Sequence, residues 1–103
     1  MVDPSWMGVT HGEDQFYLFQ TEYAKLNDSL YHLSQDMIRA WTSFAKSGKP
    51  LKMGGFVNWE NAFDRTDYKF TTRYMHLEAG HYKMVGGYFA QNCGAFWKAK
   101  IMV

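Results

Sequence analysis

At 103 residues the chain is long enough for one small domain, and an aromatic content of 18% is high for a chain that can bury only part of its apolar surface. Lysine and arginine number 11 and aspartate and glutamate 10, so the net charge of +1, without any basic stripe, argues against nucleic-acid or anionic-membrane binding. No apolar stretch is long enough to span a bilayer, and the first six residues lack the basic and apolar regions of a signal peptide.

The first part of the chain, residues 4–20, predicts a loop followed by a short amphipathic segment. Two glycines, Gly8 and Gly12, flank His11, and glycines at such positions are typical of a loop. Residues 16–19 then bring three aromatic side chains and a leucine close together. We therefore expect His11 to lie in a turn just before an apolar segment.

The clearest element is a helix predicted over residues 34–47. Ser34 is placed as its N-cap, and Asp36 lies in the first turn, where the helix dipole favours a negative charge. Gly48 is placed as the left-handed residue after the last turn, and Pro50 blocks continuation. The predicted apolar face of this helix comprises Met37, Ile38, Trp41, Phe44 and Ala45.

Residues 49–72 predict a connecting loop that turns one aromatic side chain inward. Glycines and scattered charges surround the only apolar group there, which consists of Phe56, Val57 and Trp59. Two short strands are predicted after this loop, over residues 73–78 and 81–85, with Ala79-Gly80 as the tight turn between them.

A second amphipathic helix is predicted from Gly87 onward, although an interior glycine, Gly94, weakens it by about 1 kcal/mol relative to alanine. It contains the single cysteine, Cys93, which can form no disulfide within this chain. Two interpretations of Cys93 stay open: a small buried apolar residue, or one half of a disulfide whose partner lies upstream. The predicted apolar face comprises Phe89, Cys93, Phe96, Trp97 and Ile101.

Of the four histidines, His11 is the best candidate for a catalytic group, although a loop histidine without further context is more often structural. A turn can hold an imidazole free to meet a nucleophile and an orienting acid. His76 and His81 flank the predicted hairpin turn, but two histidines without a third ligand make a weak metal site. His32 lies in a polar stretch without a nearby partner in sequence. No metal and no cofactor is therefore predicted.

The sequence contains no complete hydrolytic site. The G-x-S-x-G pattern that exposes a serine nucleophile does not occur, since no serine has glycines at that spacing. Zinc-hydrolase signatures and phosphate-binding glycine loops are also absent from the sequence. The residues of this chain alone therefore predict no active site.

Several segments, in order, resemble the carboxylesterase and cholinesterase family. Residues 4–19 resemble its histidine loop, a Trp-x-Gly-x-x-His-Gly stretch followed by acidic and aromatic residues. Residues 33–50 resemble a helix of the family that ends in a W-x-x-F-A-K-x-G-x-P phrase, which is found here at residues 41–50. The less specific matches are Trp59, where Glu60 replaces the usual proline, the late strand at residues 74–77, and the Cys-x-x-Phe-Trp pattern at residues 93–97.

The resemblance implies an α/β fold in which residues 1–103 are the C-terminal segment of a carboxylesterase-type α/β-hydrolase domain, incomplete on its own. This segment would supply the histidine loop, a helix, the late short strands and the terminal helix. In that family the serine and the acid precede the histidine along the chain. The resemblance therefore implies that His11 is the triad histidine and that the other two members lie upstream.

The same resemblance implies a small carboxylic ester as substrate, no cofactor, and an upstream disulfide partner for Cys93. It also implies a protein that is secreted or lies in the lumen of the endoplasmic reticulum. The sequon Asn27-Asp28-Ser29 would then be open to N-glycosylation, although such triplets often arise by chance.

Two further functions stay open at the level of sequence. Some proteins of the family keep the histidine loop but lack the serine and act as adhesion or binding proteins, and the residue at the upstream elbow would separate them from esterases. A small independent aromatic-rich binding module is the other possibility, and such a module would unfold cooperatively in isolation. We expect no cooperative unfolding, because the faces that carry Trp41, Phe44, Phe96 and Trp97 are predicted to pack on strands that this chain lacks.

Overall fold

A computed structural model of the chain describes residues 5–63 and 72–86. Two α-helices and a two-stranded sheet form the described part, together with two short 3-10 turns. In chain order these elements are the first 3-10 turn (Ser5–Met7), α1 (Asp14–Leu18), the second 3-10 turn (Glu22–Lys25), α2 (Asp28–Ser47), β1 (Arg73–Glu78) and β2 (His81–Gly86). The helix predicted from Gly87, with Cys93 on it, lies outside the described residues.

The start of α2 differs from the prediction. Asn27 is the N-cap: its backbone is extended, and its side-chain oxygen accepts a hydrogen bond of 2.9 Å from the backbone N–H of Leu30. The prediction that Ser34 caps this helix is wrong. Ser34 lies within the helix, is fully buried, and its hydroxyl donates a hydrogen bond to the backbone carbonyl of Tyr17. Ser34, although a residue type that often caps helices, instead forms a contact between α2 and α1.

The end of α2 confirms the prediction. Gly48 takes the left-handed conformation, with φ of 74°, and its N–H donates a hydrogen bond of 2.8 Å to the carbonyl of Phe44. The left-handed conformation is energetically unfavourable for residues that have a Cβ atom, and glycine has none. Lys46 lies in the last turn, where the helix dipole favours a positive charge.

The core lies between α1, the second 3-10 turn and α2. The predicted apolar face of α2 is only partly the buried one: Met37 is 4% exposed, whereas Trp41 and Phe44 are 42% and 58% exposed. The buried side of the helix passes instead through Leu33, Met37 and Ala40. The core residues are Tyr17, Ala24, Leu33, Met37, Ala40 and Met53.

The predicted hairpin is confirmed. β1 and β2 pair in antiparallel register from Arg73 opposite Gly86 to Glu78 opposite His81. Gly80 in the connecting turn has φ of 77°, which favours glycine. On the helix side, Tyr82 donates a hydrogen bond of 2.8 Å from its hydroxyl to the carboxylate of Asp36. The hairpin therefore attaches to α2.

The described part of the segment after α2, residues 49–63, is a loop, as predicted, and one aromatic side chain turns inward. Trp59 packs edge-on against Trp41, with ring centroids 6.2 Å apart, whereas Phe56 is exposed. The fully buried residue of this loop is Met53, which pairs with Val57 in a short bridge. None of the helices within residues 5–63 and 72–86 is both long and apolar enough to cross a membrane.

Candidate catalytic histidine loop

His11 lies in an exposed turn between the first 3-10 turn and α1. The glycines on either side, Gly8 and Gly12, have φ of 63° and 81°. A Cβ added at either position would meet no atom within 4 Å, so the backbone conformation and not the available space favours glycine there. The predicted loop is therefore present, and it leaves the imidazole accessible.

The carboxylate of Glu13 closes this turn. Its Oε2 atom accepts a hydrogen bond of 3.2 Å from the backbone N–H of Thr10, the residue before His11. In the opposite direction, the backbone N–H of Glu13 donates a hydrogen bond of 3.3 Å to the carbonyl of Thr10. A glutamate that reaches back three residues to a threonine N–H is one half of a capping box. His11 and Gly12 are the two residues enclosed by this pair of bonds.

Two tyrosines donate hydrogen bonds to the other oxygen of the same carboxylate. The hydroxyl groups of Tyr17 and Tyr23 donate to Oε1 of Glu13 over 3.4 and 3.5 Å, and the two rings meet edge-to-face at 5.8 Å. Burial raises the pKa of Tyr17 above its ordinary value, and the neighbouring Tyr23 and Glu13 raise it further. The Tyr17 hydroxyl therefore keeps its proton, and remains a donor, at neutral pH.

The turn is connected in this way to the long helix. Tyr17 belongs to the core and donates to Glu13 through its side chain, while its carbonyl accepts the hydroxyl of Ser34 from α2. A chain of contacts thus leads from the backbone beside His11 through Glu13 and Tyr17 to Ser34. The imidazole itself has no hydrogen-bond partner among the described residues.

A cleft of about 390 Å³ lies beside this turn, between α1, α2 and the hairpin. Most of the residues that line it are apolar, and three acidic residues, Glu13, Asp14 and Glu78, also line it. His11 is not among the residues that line the cleft.

The other histidines form no site with His11 in the described part of the chain. His76 lies 3.1 Å from the carboxylate of Glu78, and its ring meets that of His81 at 6.5 Å. His32 is exposed on α2. Within the described ranges, no group of three histidine, cysteine, aspartate or glutamate side chains could hold a metal ion.

The sequence singled out His11 as a candidate but did not indicate the residues whose hydrogen bonds close its turn. The spacing of Thr10 and Glu13, a threonine followed three residues later by a glutamate, is a signal that could have revealed the turn closure. The contribution of Tyr17 and Tyr23 carries no comparable local signal, because the two residues come from separate segments.

The sequence model of a protein family, described as "Carboxylesterase family", matches residues 1–97 of the chain. This range includes the His11 turn, both helices and the hairpin. The chain belongs to the carboxylesterase family. Carboxylesterases have the α/β-hydrolase fold, and the helices and the antiparallel hairpin described above are a small part of such a fold.

Two curated relatives of this carboxylesterase chain are acetylcholinesterases. The chain is 32% identical to the acetylcholinesterase of Gallus gallus over 97 residues, which make up 91% of the chain and 12% of the relative. It is 42% identical to the acetylcholinesterase of Bungarus fasciatus over 53 residues, or 46% of the chain and 8% of the relative. The chain therefore spans only a small fraction of the length of these relatives. No solved structure matches it significantly.

Proposed function

We propose that this chain is the C-terminal segment of a carboxylic-ester hydrolase and that His11 is its triad histidine. The observation that carries the proposal is the carboxylesterase match over residues 1–97, which includes the exposed His11 turn. The nucleophilic serine, the orienting acid and the oxyanion-hole amides would belong to sequence upstream of residue 1. In this family's chain order both the serine and the acid come before the histidine.

His11 would act as general base and then as general acid. Its imidazole takes the proton of the serine hydroxyl as the serine oxygen attacks the ester carbonyl, and it returns that proton to the departing alcohol. In the second half of the cycle the imidazole takes a proton from water, which attacks the acyl-enzyme. The proton then passes to the serine oxygen as the carboxylic acid leaves.

The surroundings of His11 suit this role. A general base needs one ring nitrogen for the nucleophile and the other for the acid that orients it. Because the imidazole has no hydrogen-bond partner among the described residues, both nitrogens are left for groups outside them. The exposed turn gives those groups access.

Ester hydrolysis by the intact protein that carries this chain tests the proposal. We expect His11→Ala to lower kcat for an uncharged aryl acetate by at least about 10³-fold, since the members of a triad act as one unit. His32→Ala is the matched control, because it removes an exposed histidine from the second turn of α2. Retention of wild-type kcat by the His11→Ala protein would contradict the proposal.

A fluorophosphonate probe separates the esterase from the adhesion protein, which is the alternative. The probe bonds covalently to an activated serine with loss of fluoride, so an esterase becomes labelled and His11→Ala slows its labelling. An intact protein that stays unlabelled and hydrolyses no ester would be a binding protein of the same family. The 103-residue chain alone should hydrolyse no ester, because its sequence holds no nucleophile elbow.

We also propose that the intact protein is secreted or lies in the lumen of the endoplasmic reticulum. In support, the sequon at Asn27 lies at the exposed start of α2, and a glycan there would meet solvent. A loss of mass on treatment of the native protein with an N-glycosidase, absent from the Ser29→Ala variant, is the expected result. An unchanged mass would argue against a glycan at this position.

A further inference from the structure

We infer that Glu13 is a positioning residue for His11, acting through the backbone of the turn and not as the acid of the triad. This inference rests on the proposed role of His11. It extends that role, because a freely accessible imidazole must still be held in one place for proton transfer. A misplacement of about 1 Å can cost an enzyme as much as 10²-fold in rate.

The first part of the argument is the direction of the hydrogen bonds made by Glu13. One carboxylate oxygen accepts the backbone N–H of Thr10, and the other accepts the hydroxyl groups of Tyr17 and Tyr23. None of the hydrogen bonds within the described residues joins this carboxylate to the imidazole of His11. Glu13 therefore controls where the turn stands, and the orienting acid has to come from elsewhere.

The second part is the fixed position of the groups behind Glu13. Tyr17 is 9% exposed, and its backbone carbonyl accepts the hydroxyl of Ser34 from the buried side of α2. The ring of Tyr23 packs against those of Phe16 and Tyr17, with centroids 5.5 and 5.8 Å away. The two hydroxyl contacts to Glu13 are long, so each is weak alone. Their donors, however, belong to packed rings and not to mobile side chains.

The third part is the flexibility that the turn would otherwise have. Gly12 separates His11 from Glu13 and has φ of 81°, a conformation from which glycine readily departs because it lacks a Cβ. Two hydrogen bonds between Thr10 and Glu13, one to the Glu13 carboxylate and one between backbone groups, span Gly12. Loss of the carboxylate removes the bond of 3.2 Å to the Thr10 N–H and leaves the backbone bond of 3.3 Å between the same two residues.

Steady-state kinetics of the intact protein with an uncharged aryl acetate test this inference. We expect Glu13→Ala to lower kcat by about tenfold or more while KM changes less than about twofold, since position and not ester binding is affected. Glu13→Gln keeps an amide oxygen that can accept the Thr10 N–H, and it should recover most of the lost kcat. Glu22→Ala is the matched control, because it removes an equally charged side chain that is 94% exposed.

A double variant, Tyr17→Phe with Tyr23→Phe, tests the same arrangement without touching the carboxylate. It removes both hydroxyl donors and keeps both rings, so the packing of α1 survives. We expect a smaller loss of kcat than in Glu13→Ala, and little additional loss when the two changes are combined with Glu13→Ala. Independent, multiplying effects would show that the tyrosines do not act through Glu13.

The outcomes separate the two claims. If His11→Ala is inactive but Glu13→Ala keeps wild-type kcat, the positioning role is wrong and the proposed function stands. If Glu13→Gln loses as much kcat as Glu13→Ala, the charge and not the Thr10 contact matters, and the inference is also overturned. If His11→Ala keeps its activity, or the intact protein hydrolyses no ester, the proposed function fails and the positioning role fails with it.

Discussion

The hydroxyl of Tyr82 on β2 donates a hydrogen bond of 2.8 Å to the carboxylate of Asp36 on α2. The two residues are far apart in the chain, and their contact joins the hairpin to the helix. Burial raises the pKa of Tyr82 above its ordinary value, and the hydrogen bond and negative charge of Asp36 raise it further. The tyrosine is therefore a permanent donor at neutral pH.

This pKa shift predicts a loss of stability in alkali. Because the folded protein holds the Tyr82 proton more tightly than the unfolded chain, the contribution is complete below about pH 10 and is lost as the pH rises further. We expect the free energy of unfolding of the intact protein to fall as the pH rises above about 10. Tyr82→Phe should reduce that fall, and Tyr31→Phe, which alters an exposed tyrosine, should leave it unchanged. An identical alkaline decline in the Tyr82→Phe protein would contradict this account.

The N-cap of α2 predicts a local effect at the sequon. Asn27→Ala removes the side-chain acceptor of the Leu30 N–H and should destabilise the helix start by about 1 kcal/mol. This corresponds to roughly fivefold faster amide hydrogen exchange in the first turn of α2. Asn27→Asp keeps an acceptor and should exchange at the wild-type rate. Ser29→Ala removes the sequon but not the cap, so faster exchange in that variant would assign the effect to the glycan.

The buried hydroxyl of Ser34 predicts that its removal destabilises the contact between α2 and α1. Ser34→Ala leaves the Tyr17 carbonyl without its donor from α2, which should destabilise the intact protein by about 1–2 kcal/mol. Chemical denaturation measures this change. Thr42→Ala is the control, because the Thr42 hydroxyl is exposed and, within the described residues, donates to carbonyl groups of its own helix. Equal effects of the two substitutions would contradict a specific role for the contact between Ser34 and Tyr17.

The exposed aromatic side of α2 predicts that one substitution has different effects on the isolated chain and on the intact protein. Trp41 and Phe44, together with Ala40, Pro50 and Trp59, line an apolar pocket of about 310 Å³. In the isolated chain, Phe44→Ser should lower the binding of a hydrophobic dye without loss of helix content measured by circular dichroism. In the intact protein it should destabilise the fold by roughly 3 kcal/mol, because the face would be covered there. A neutral effect in the intact protein would mean that this face stays exposed.

The sequence predicted those features that depend on a few neighbouring residues. Gly48 and Gly80 marked the end of α2 and the hairpin turn, because only glycine takes a positive φ without cost. The glycines around His11 likewise indicated a turn, and the resemblance drew attention to the histidine within it. Each of these signals acts on the backbone close to the residue that carries it.

The features that were missed depend on packing between distant segments. Asn27 and Ser34 are both good capping residues, and the sequence gives no local reason to prefer one of them. Leu33 and Ser34 both belong to the side of α2 that faces the core, and α2 begins upstream of both, at Asp28. The contacts of Glu13 with Tyr17 and Tyr23 also need side chains from separate elements. Such contacts follow from the fold and not from spacing alone.

The attachment of the hairpin has a consequence for how the molecule opens. β1 and β2 contact each other closely, as do the helices and the second 3-10 turn, but no comparably extensive contact joins the two groups in the described part of the chain. Release of the Tyr82 hydroxyl from Asp36, with a few apolar contacts, would free the hairpin as one cooperative unit. A protease could then cut within the strands while Glu13 still closes the turn around His11.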